Sequence, residues 1–267
     1  MRIGSREFDI SKTHIMGILN VTPDSCSDGG QFNTTEKALR RAEQMIKEGV
    51  DIIDIGGEST RPGYTQITDD EEIERIAPVI EAIHKSFDIP LSADTYKSAV
   101  AKAALEAGAD LINDIWGLKY DEKIAEAVSE KNACICLMHN REHGNYVNFK
   151  EDVLEDLRQS IAIAKKYGIS DDKIITDPGV GFAKTLEENL VITNNIDLLK
   201  NLGYPYLLGA SRKSVIGLTL NLPSDERIEG TIATTVIACM KGAAFVRVHD
   251  VKENRRAVDM TSAVINS

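Results

Sequence analysis

One unit recurs eight times along this chain, and it constrains the fold more than any other feature of the sequence. Each unit has an apolar run of about six residues, a loop, and a stretch with apolar residues at helical spacing. The runs have the length and composition of strands that are buried on both faces of a parallel sheet. They cover residues 14–20, 51–56, 90–95, 111–116, 133–139, 173–177, 206–211 and 244–250.

Eight strands that alternate with helices predict either a closed (β/α)8 barrel, the TIM barrel, or an open doubly wound sheet. The closed barrel fits better because the eight units occupy about 240 residues. Predicted helices such as 36–49 and 69–85 are amphipathic, and several end in glycine, as at Gly49, Gly108 and Gly168. We therefore predict one α/β domain over residues 1–267, in which 1–13 form a short N-terminal extension or hairpin and 14–267 form the barrel.

The composition of the chain argues against several classes of function. A formal net charge of -11 disfavours a surface for nucleic acid or anionic lipid, since both need a basic face. No apolar run approaches the roughly 18 residues of a membrane span, and the first residues lack the apolar core of a leader, so we expect a cytoplasmic protein. Cys134 and Cys136 fall in a strand run, Cys239 in a helical stretch and Cys26 in a loop, without metal or disulfide spacing.

Polar residues follow nearly every predicted strand, at the end where a barrel of parallel strands binds its ligands. The sharpest change is in residues 206–214, where an apolar run leads abruptly to Ser211, Arg212, Lys213 and Ser214. Cations are disfavoured at the positive end of a helix dipole, so we prefer a site with an anionic or electron-rich partner to a solvated helix start. Ser214 is also placed to cap the following helix.

The loop after the first strand, residues 20–30, is rich in residues that turn or hydrogen-bond locally. It contains Asp24 and Asp28 and ends in two glycines. An ordinary solvated loop has the same composition. The length and position of this loop favour a lid that closes over a substrate.

Seven motifs occur in order at the predicted strand ends: 16–25 (MGILNVTPDS), 54–63 (DIGGESTRPG), 94–97 (DTYK), 112–115 (INDI), 177–182 (DPGVGF), 211–213 (SRK) and 247–249 (RVH). Together they resemble the dihydropteroate synthases, the folate-pathway enzymes that sulfonamides inhibit, over essentially the whole chain. The resemblance implies condensation of 6-hydroxymethyl-7,8-dihydropterin pyrophosphate with para-aminobenzoate, which gives 7,8-dihydropteroate and pyrophosphate with the help of Mg2+. It also implies a homodimer formed through outer helices near the carboxyl terminus.

The resemblance assigns a pterin pocket to residues at the strand ends, namely Asp94, Asn113, Met138, Asp177, Gly209 and Lys213. The chemistry of these side chains agrees, because the edge of a pterin presents an amine, a ring nitrogen and a carbonyl. Carboxylates and an amide suit one side of that edge, and a cation suits the other. The expected catalytic residues are Asp94, Asp177 and Lys213, joined by Asp24 and Asp28 when the lid closes.

The other two ligands are expected at the mouth of the barrel. The resemblance assigns pyrophosphate to Asn20, Arg61, Arg247 and His249, with Mg2+ on Asn20, an ion that takes few protein ligands and keeps several waters. It assigns para-aminobenzoate to Thr60, Arg61, Pro62, Phe182, Lys213, Ser214 and Cys26. Cys26 stands where the family carries phenylalanine, which predicts a weaker clamp on the aminobenzoate ring and altered sulfonamide sensitivity.

We expect the bond from the pterin methylene to pyrophosphate to break first, which leaves a resonance-stabilised cation. The buried carboxylates of Asp94 and Asp177 would stabilise this charge until the aminobenzoate amine attacks, so no protein nucleophile is needed. The alternative is structural: Asp177 as a turn residue, Asn113 as a strand end, and Asp94 as the cap of a helix that begins near Tyr96.

Two other functions compete with this one. A methyltransferase that passes a methyl group from methyltetrahydrofolate to a corrinoid protein has a similar pterin barrel. It gives no reason for the charged motif at residues 211–213, and the chain lacks an Asp-x-His-x-x-Gly corrinoid string. An inactive pterin-binding paralogue would be expected to have lost Lys213, Asp94 or Arg247, and all three are present.

Three further patterns need separate interpretation. Residues 139–143 spell the zinc string H-x-x-E-H, but they begin at a strand end and lead into Gly144 instead of running along a helix. The loop with Gly179 and Gly181 lacks the third glycine of a dinucleotide site. Trp116 follows the fourth strand and either lines the site or packs beneath it, and the sequence leaves both roles open.

Overall fold

A computed structural model describes residues 1–21, 31–58 and 65–267, with backbone alone for residues 31–33. In this part of the chain the strands are β1 (Arg2–Ile3), β2 (Arg6–Glu7), β3 (His14–Asn20), β4 (Ile52–Gly56), β5 (Leu91–Asp94), β6 (Leu111–Asp114), β7 (Cys134–Met138), β8 (Ile174–Asp177), β9 (Leu207–Leu208) and β10 (Phe245–Val248). Strands β3 to β10 pair in parallel in the order β8-β7-β6-β5-β4-β3-β10-β9, and a bridge from Thr176 to Tyr206 joins β8 to β9. The predicted TIM barrel is confirmed.

Nine α-helices in the described residues alternate with these strands and surround the barrel. They are α1 (Gln31–Lys47), α2 (Asp69–Ser86), α3 (Ser98–Ala107), α4 (Lys123–Glu130), α5 (Phe149–Lys166), α6 (Leu186–Asn194), α7 (Ser214–Leu220), α8 (Ile228–Lys241) and α9 (Val251–Ile265). None of the described helices is both long and apolar enough to cross a membrane.

Helix α2 shows how the sequence specifies these helices. The side chain of Thr68 accepts the N–H of Glu71 at 3.2 Å, and acidic residues fill the first turn. His84 and Lys85 occupy the last turn, which suits the helix dipole, and the residues that face the sheet are buried: Ile76, Val79, Ile80 and Ile83.

At the end of α3 the predicted glycine, Gly108, has a φ of 113°, and a Cβ there would lie 2.6 Å from the ring of His84. Glycine is therefore required where α3 passes α2.

The seventh barrel strand differs most from its prediction. Residues 206–211 were expected to be extended, but β9 covers only Leu207–Leu208. The chain turns early because the N–H of Lys213 bonds to the carbonyl of Ala210 at 3.2 Å and Arg212 has a φ of 56°. Helix α7 is consequently preceded by Lys213 as its N-cap, and Ser214 is its exposed first residue. The prediction that Ser214 caps this helix is therefore wrong.

The N-terminal hairpin closes the end of the barrel at which the strands begin. Strands β1 and β2 pair antiparallel, as expected for residues 1–13. Ile3 and Phe8 are buried against the apolar side chains that fill the barrel interior, among them Met16, Ile52 and Phe245. Because this end is plugged by apolar packing, the carboxyl ends of the strands are left for ligand binding.

Candidate active site at the carboxyl ends of the strands

The strand register places the predicted pterin residues at one level of the barrel. Asn20 lies opposite Gly56, Gly56 opposite Asp94, and Asp94 opposite Asn113 along successive parallel pairs. On the other side, Met138 lies opposite Asp177. The backbone ladders alone therefore bring together residues that are far apart in the sequence.

Arg247 lies between two carboxylates at the centre of this level. Its Nε donates to Oδ2 of Asp54 at 2.6 Å, and its Nη2 donates to Oδ2 of Asp94. Asp54 is fully buried and also accepts from Nδ2 of Asn113 at 3.4 Å. Burial raises the pKa of Asp94 to about 7, although the charge of Arg247 opposes the shift. Asp94 is thus a buried carboxyl held beside a cation, and it is not the cap of α3, whose N-cap is Lys97.

Several buried oxygens in this region lack a partner within the described residues. They are Oδ1 of Asp54, Oδ1 of Asp94 and Oγ of Ser92. A buried polar atom left unpaired costs free energy, so such atoms in a native fold mark a place where a ligand or water completes the hydrogen bonding. The unpaired carboxylate oxygens can accept from a donor-rich ligand edge.

Asp177 combines the two roles that the sequence left open. Its Oδ1 accepts the N–H of Gly179 at 2.7 Å, which is the turn function. Its Oδ2 lies near Gly209, since a Cβ there would be 3.5 Å from that oxygen and 3.8 Å from Nζ of Lys213. Burial raises the pKa of Asp177, and the charge of Lys213 opposes the rise. Asp177, Gly209 and Lys213 therefore lie together, whereas the sequence predicted the carboxylate and the cation on different sides of the pterin edge.

Lys213 joins the start of α7 to the loop after β8. Its Nζ donates to the carbonyl of Val180 at 2.6 Å and lies 4.7 Å from the centre of the Phe182 ring. Burial lowers the pKa of Lys213 to about 8, while the carboxylate of Asp177 acts in the opposite direction. This pairing of a cation with an aromatic ring forms the second half of the site.

An apolar cluster lies at the same ends of the strands. It contains Tyr96, Ile115 and Met138, with Trp116 and Phe182 packed against it. The predicted pterin residue Met138 is therefore next to side chains from three other strand ends. Trp116, whose role the sequence left open, packs in this cluster.

The motifs at residues 211–213 and 247–249 meet through side chains. Oγ of Ser211 lies 3.0 Å from Nδ1 of His249 and accepts the N–H of the same residue at 3.1 Å. Arg212 donates to Asp250 through Nε at 2.9 Å and through Nη2 at 2.5 Å. Ser211 thus orients His249, whereas Arg212 pairs with Asp250 and links the start of α7 to the end of β10.

The remaining predicted residues divide into two groups. Asn20 is exposed at the end of β3 and Ser214 is exposed at the start of α7. The other predicted residues lie outside the described part of the chain: Asp24, Cys26, Asp28, Thr60, Arg61 and Pro62. Their roles stay predictions.

The zinc string at residues 139–143 is used differently. His139 is fully buried, with Nε2 2.9 Å from Asp156 and Nδ1 2.8 Å from Nζ of Lys184. An ammonium group occupies the position that a zinc ion on Nδ1 would take. No group of three or more candidate ligands among His, Cys, Asp and Glu occurs within the described ranges.

Sequence reasoning missed the role of two buried groups. Asp54 was noted only as part of a motif, yet a charged residue inside the apolar run 52–55 is itself a signal of a polar site. Nζ of Lys97 lies 2.7 Å from Glu58, 2.8 Å from Glu72 and 2.8 Å from the carbonyl of Ile67. This ion-pair cluster holds Glu58 and Ile67, which lie on either side of residues 59–64, against α2 and the start of α3.

The sequence was compared with known proteins and protein families. The model of the family described as "Pterin binding enzyme" matches residues 16–249. A dihydropteroate synthase from Clostridium beijerinckii is 58% identical over an alignment of 267 residues that covers 99% of this chain and 99% of that one.

The chain belongs to the dihydropteroate synthase family of pterin-binding enzymes. The resemblance drawn from the seven motifs is thereby confirmed. Two solved structures of family members superpose over the whole chain. A dihydropteroate synthase from Clostridium difficile, crystallised in the presence of pteroic acid, has a TM-score of 0.94 and 46% identity over 100% of both chains. A Yersinia pestis dihydropteroate synthase in complex with a sulfonamide drug has a TM-score of 0.93 and 39% identity over 100% of this chain and 99% of that one.

Proposed function

We propose that this dihydropteroate synthase condenses 6-hydroxymethyl-7,8-dihydropterin pyrophosphate with para-aminobenzoate at the carboxyl ends of its barrel strands. The observation that carries the proposal is that Asp94 and Asn113 pair at one level of the barrel, while Asp177 lies beside Lys213 at the same ends of the strands. A pterin edge needs acceptors for its amine and ring N–H and a donor for its carbonyl. The carboxylates and Asn113 supply acceptors, and Lys213 supplies a donor beside Asp177.

Two carboxylates in the pocket suit a dissociative reaction. The C–O bond from the pterin methylene to pyrophosphate breaks, and its electron pair leaves with pyrophosphate. Asp94 and Asp177 stabilise the resulting pterin cation, because a fixed anion in a buried site acts more strongly than one in water. The amine of para-aminobenzoate then attacks the methylene and loses a proton, which balances the reaction.

Pyrophosphate binds near the ends of β3 and β10. We assign it to Arg247 and His249, together with Asn20 and Arg61. Arg247 already pairs with two carboxylates and His249 is held by Ser211, so both groups are preorganised. Asn20 is exposed at the pocket mouth and presents an amide oxygen, the kind of hard ligand that Mg2+ accepts. The bound ion would supply charge neutralisation for the leaving pyrophosphate.

Para-aminobenzoate binds beside Phe182 and Lys213, with its carboxylate near the exposed Ser214 at the start of α7. Thr60, Arg61, Pro62 and Cys26 complete this pocket by the family pattern. Sulfonamides, which resemble the arylamine, compete for the same space. We further propose that Asp24 and Asp28 join the catalytic group with the first loop.

The protein acts as a homodimer. Exposed apolar side chains are concentrated on the last three helices: Leu218, Leu220, Ile237, Met240, Met260, Val264 and Ile265. A surface of this kind is more typical of a subunit interface than of solvent. Light scattering on the purified protein tests the dimer. The buried free thiols Cys134, Cys136 and Cys239 are consistent with a reducing compartment, and we propose the cytoplasm.

The first experiment is pyrophosphate release by the purified protein, given the pterin pyrophosphate and Mg2+, with and without para-aminobenzoate. Release that yields dihydropteroate when the amine is present supports the synthase, and slower release without it supports the dissociative step. Protein that binds pterin but stays silent in both reactions would be an inactive paralogue or a methyltransferase. An assay with methyltetrahydrofolate and a corrinoid acceptor separates these two.

A further inference from the structure

The loop after β8 is held mostly by side chains, although the N–H of Phe182 also donates to the carbonyl of Gly179 at 3.1 Å. It covers residues 178–185, and its carbonyls at Gly179, Val180, Phe182 and Ala183 all accept from side chains. The donor to Val180 is Lys213, and the donor to Ala183 is the hydroxyl of Tyr146 at 3.0 Å. A segment held in this way has a conformation that depends on individual side chains, because no ladder fixes it.

Lys184 makes the largest number of these contacts. Its Nζ donates to the carbonyl of Gly179 at 3.0 Å and to that of Phe182 at 3.0 Å, and it lies 2.8 Å from Nδ1 of His139. Burial lowers the pKa of Lys184 to about 7, although the charge of Asp177 opposes the shift, so the ammonium and the neutral amine are both populated near pH 7. The ammonium form has three N–H donors, and all three have acceptors here. The side chain therefore ties both ends of the turn 179–182 to the end of β7.

The charges around His139 fix the direction of these bonds. Burial lowers the pKa of His139 to about 4, against the pull of Asp156, so the ring is neutral. Although burial acts in the opposite sense, hydrogen bonds from His139 and Arg141 hold the pKa of Asp156 well below its usual range. An ionised Asp156 must accept from Nε2–H of His139, and Nδ1 is left as an acceptor for Lys184.

The backbone at this point has little room to adjust. Gly179 has a φ of 70°, and a Cβ there would lie 1.9 Å from the carbonyl oxygen of His139. A Cβ on Gly181 would lie 3.1 Å from Cδ of Lys213. The loop is therefore packed closely against the end of β7 and the start of α7, and Nζ of Lys184 would lie 3.3 Å from the same Gly179 Cβ.

We propose that Lys184 is a positioning residue for the arylamine half of the site. Its ammonium group fixes the turn 179–182 so that the ring of Phe182 stays beside Lys213. The inference rests on the proposed function, because it assumes that para-aminobenzoate lies against Phe182. Of the pterin residues, Asp94 and Asn113 do not depend on Lys184, since the strand ladders place them, whereas Asp177 and Lys213 bond to the same turn at Gly179 and Val180.

Lys184→Met removes the three donors and keeps the length of the side chain, and Lys102→Met on the exposed face of α3 is the matched control. We expect the KM for para-aminobenzoate to rise about tenfold or more in Lys184→Met, because a small misplacement of a positioning group has effects of this size. The KM for the pterin pyrophosphate and the calorimetric Kd of pterin should rise less than the KM for para-aminobenzoate, because the strand ladders keep Asp94 and Asn113 in place. Lys102→Met should match the wild type in every measurement.

A purely structural role gives a different result. In that case a preparation of the Lys184→Met variant would contain less folded enzyme, so its apparent kcat would be lower while both KM values stayed unchanged. This result would overturn the inference. Thermal melting of each preparation measures the folded fraction. If the wild type forms no dihydropteroate, the proposed function fails; if the wild type is active and the KM split is absent, only the role of Lys184 fails.

A measurement on the wild-type protein covers the case in which Lys184→Met does not fold. The chain has five histidines, and ring ¹⁵N NMR distinguishes their protonation states. We expect a neutral His139 with hydrogen on Nε2 and a hydrogen-bonded, unprotonated Nδ1 over pH 6 to 8. A proton on Nδ1, or a cationic ring in that range, would overturn the inference without any variant.

Discussion

The two halves of the active site are built by different means. The pterin half rests on β4, β5 and β6, whose ladders set Gly56, Asp94 and Asn113 at one level. The arylamine half rests on the loop after β8 and the start of α7, which are joined by side-chain bonds such as that from Lys213 to Val180. A ladder fixes many atoms at once, whereas a single side-chain bond fixes one. Changes in the first half should therefore impair chemistry with the backbone in place, and changes in the second should alter affinity.

Asp94→Asn is expected to have the largest effect on activity. The substitution keeps the shape of the side chain but removes the anion that faces the pterin cation, so kcat/KM should fall by about 10³. The matched control is Asp110→Asn, in which the carboxyl that accepts the N–H of Leu91 at the other end of the barrel is neutralised. Activity should survive in the control. If Asp94→Asn instead unfolds the protein while its residual activity per folded molecule is normal, Asp94 is a structural residue.

Lys97→Met tests how much the buried ion pairs of Lys97 contribute to the stability of the protein. It leaves Glu58 and Glu72 buried without their cation, and breaking a buried ion pair costs about 3–5 kcal/mol of the free energy of unfolding. Burial already raises the pKa of Glu72, and loss of Lys97 raises it further. A carboxyl group whose pKa is higher in the folded state is buried at less cost when it is protonated. The loss of unfolding free energy in Lys97→Met should therefore shrink as the pH falls toward the pKa that Glu72 has in the unfolded chain.

Urea unfolding at pH 8 and pH 5.5 measures this difference, and Lys97→Met combined with Glu72→Gln should recover part of the stability. An equal loss at both pH values would mean that the two carboxyl groups are not coupled to Lys97.

The pH profile of kcat/KM compares the two halves in one experiment. The rising limb should lie near pH 7, because burial raises the pKa of Asp94 to about 7 and the ionised form is needed. The falling limb should lie near pH 8, because burial lowers the pKa of Lys213 to about 8 and the protonated form is needed. Each limb should change the rate about tenfold per pH unit.

Two variants assign the limbs. Asp94→Asn should lose the rising limb of Asp94, and any limb that remains there belongs to Asp177, whose pKa burial also raises, or to the pyrophosphate of the substrate. Lys213→Arg should lose the falling limb below pH 9, since an arginine stays charged. A rising limb near pH 4 in the wild type would mean that Asp94 titrates as an exposed carboxyl group does.

The pterin half, which is built on strands, was predictable from the sequence. The arylamine half, which is built on a loop, was predictable only in part. The alternation of apolar runs placed β3 at its observed bounds and predicted that Asp94, Asn113 and Asp177 would converge, because register follows from the barrel itself. The pairing of Arg247 with Asp54 could not be predicted, since it joins β10 to β4 through side-chain directions that depend on the twist of the sheet. The bonds of Lys184 had no periodic signal, because they run from a side chain to carbonyls in an irregular loop.

Cys26→Phe should have the smallest effect, and it concerns the arylamine half alone. Cys26 lies outside the described residues, so the expectation comes from the family pattern, in which an aromatic side chain packs on the aminobenzoate ring. Such a contact contributes about 0.5–1.5 kcal/mol beyond area burial, which corresponds to roughly a two- to twelvefold decrease in the KM for para-aminobenzoate. Inhibition constants for a sulfonamide, measured beside both Michaelis constants, should fall with it while the KM for the pterin pyrophosphate stays constant. Unchanged values for both the drug and the arylamine would show that the ring is held by Phe182 and Lys213 without help from the first loop.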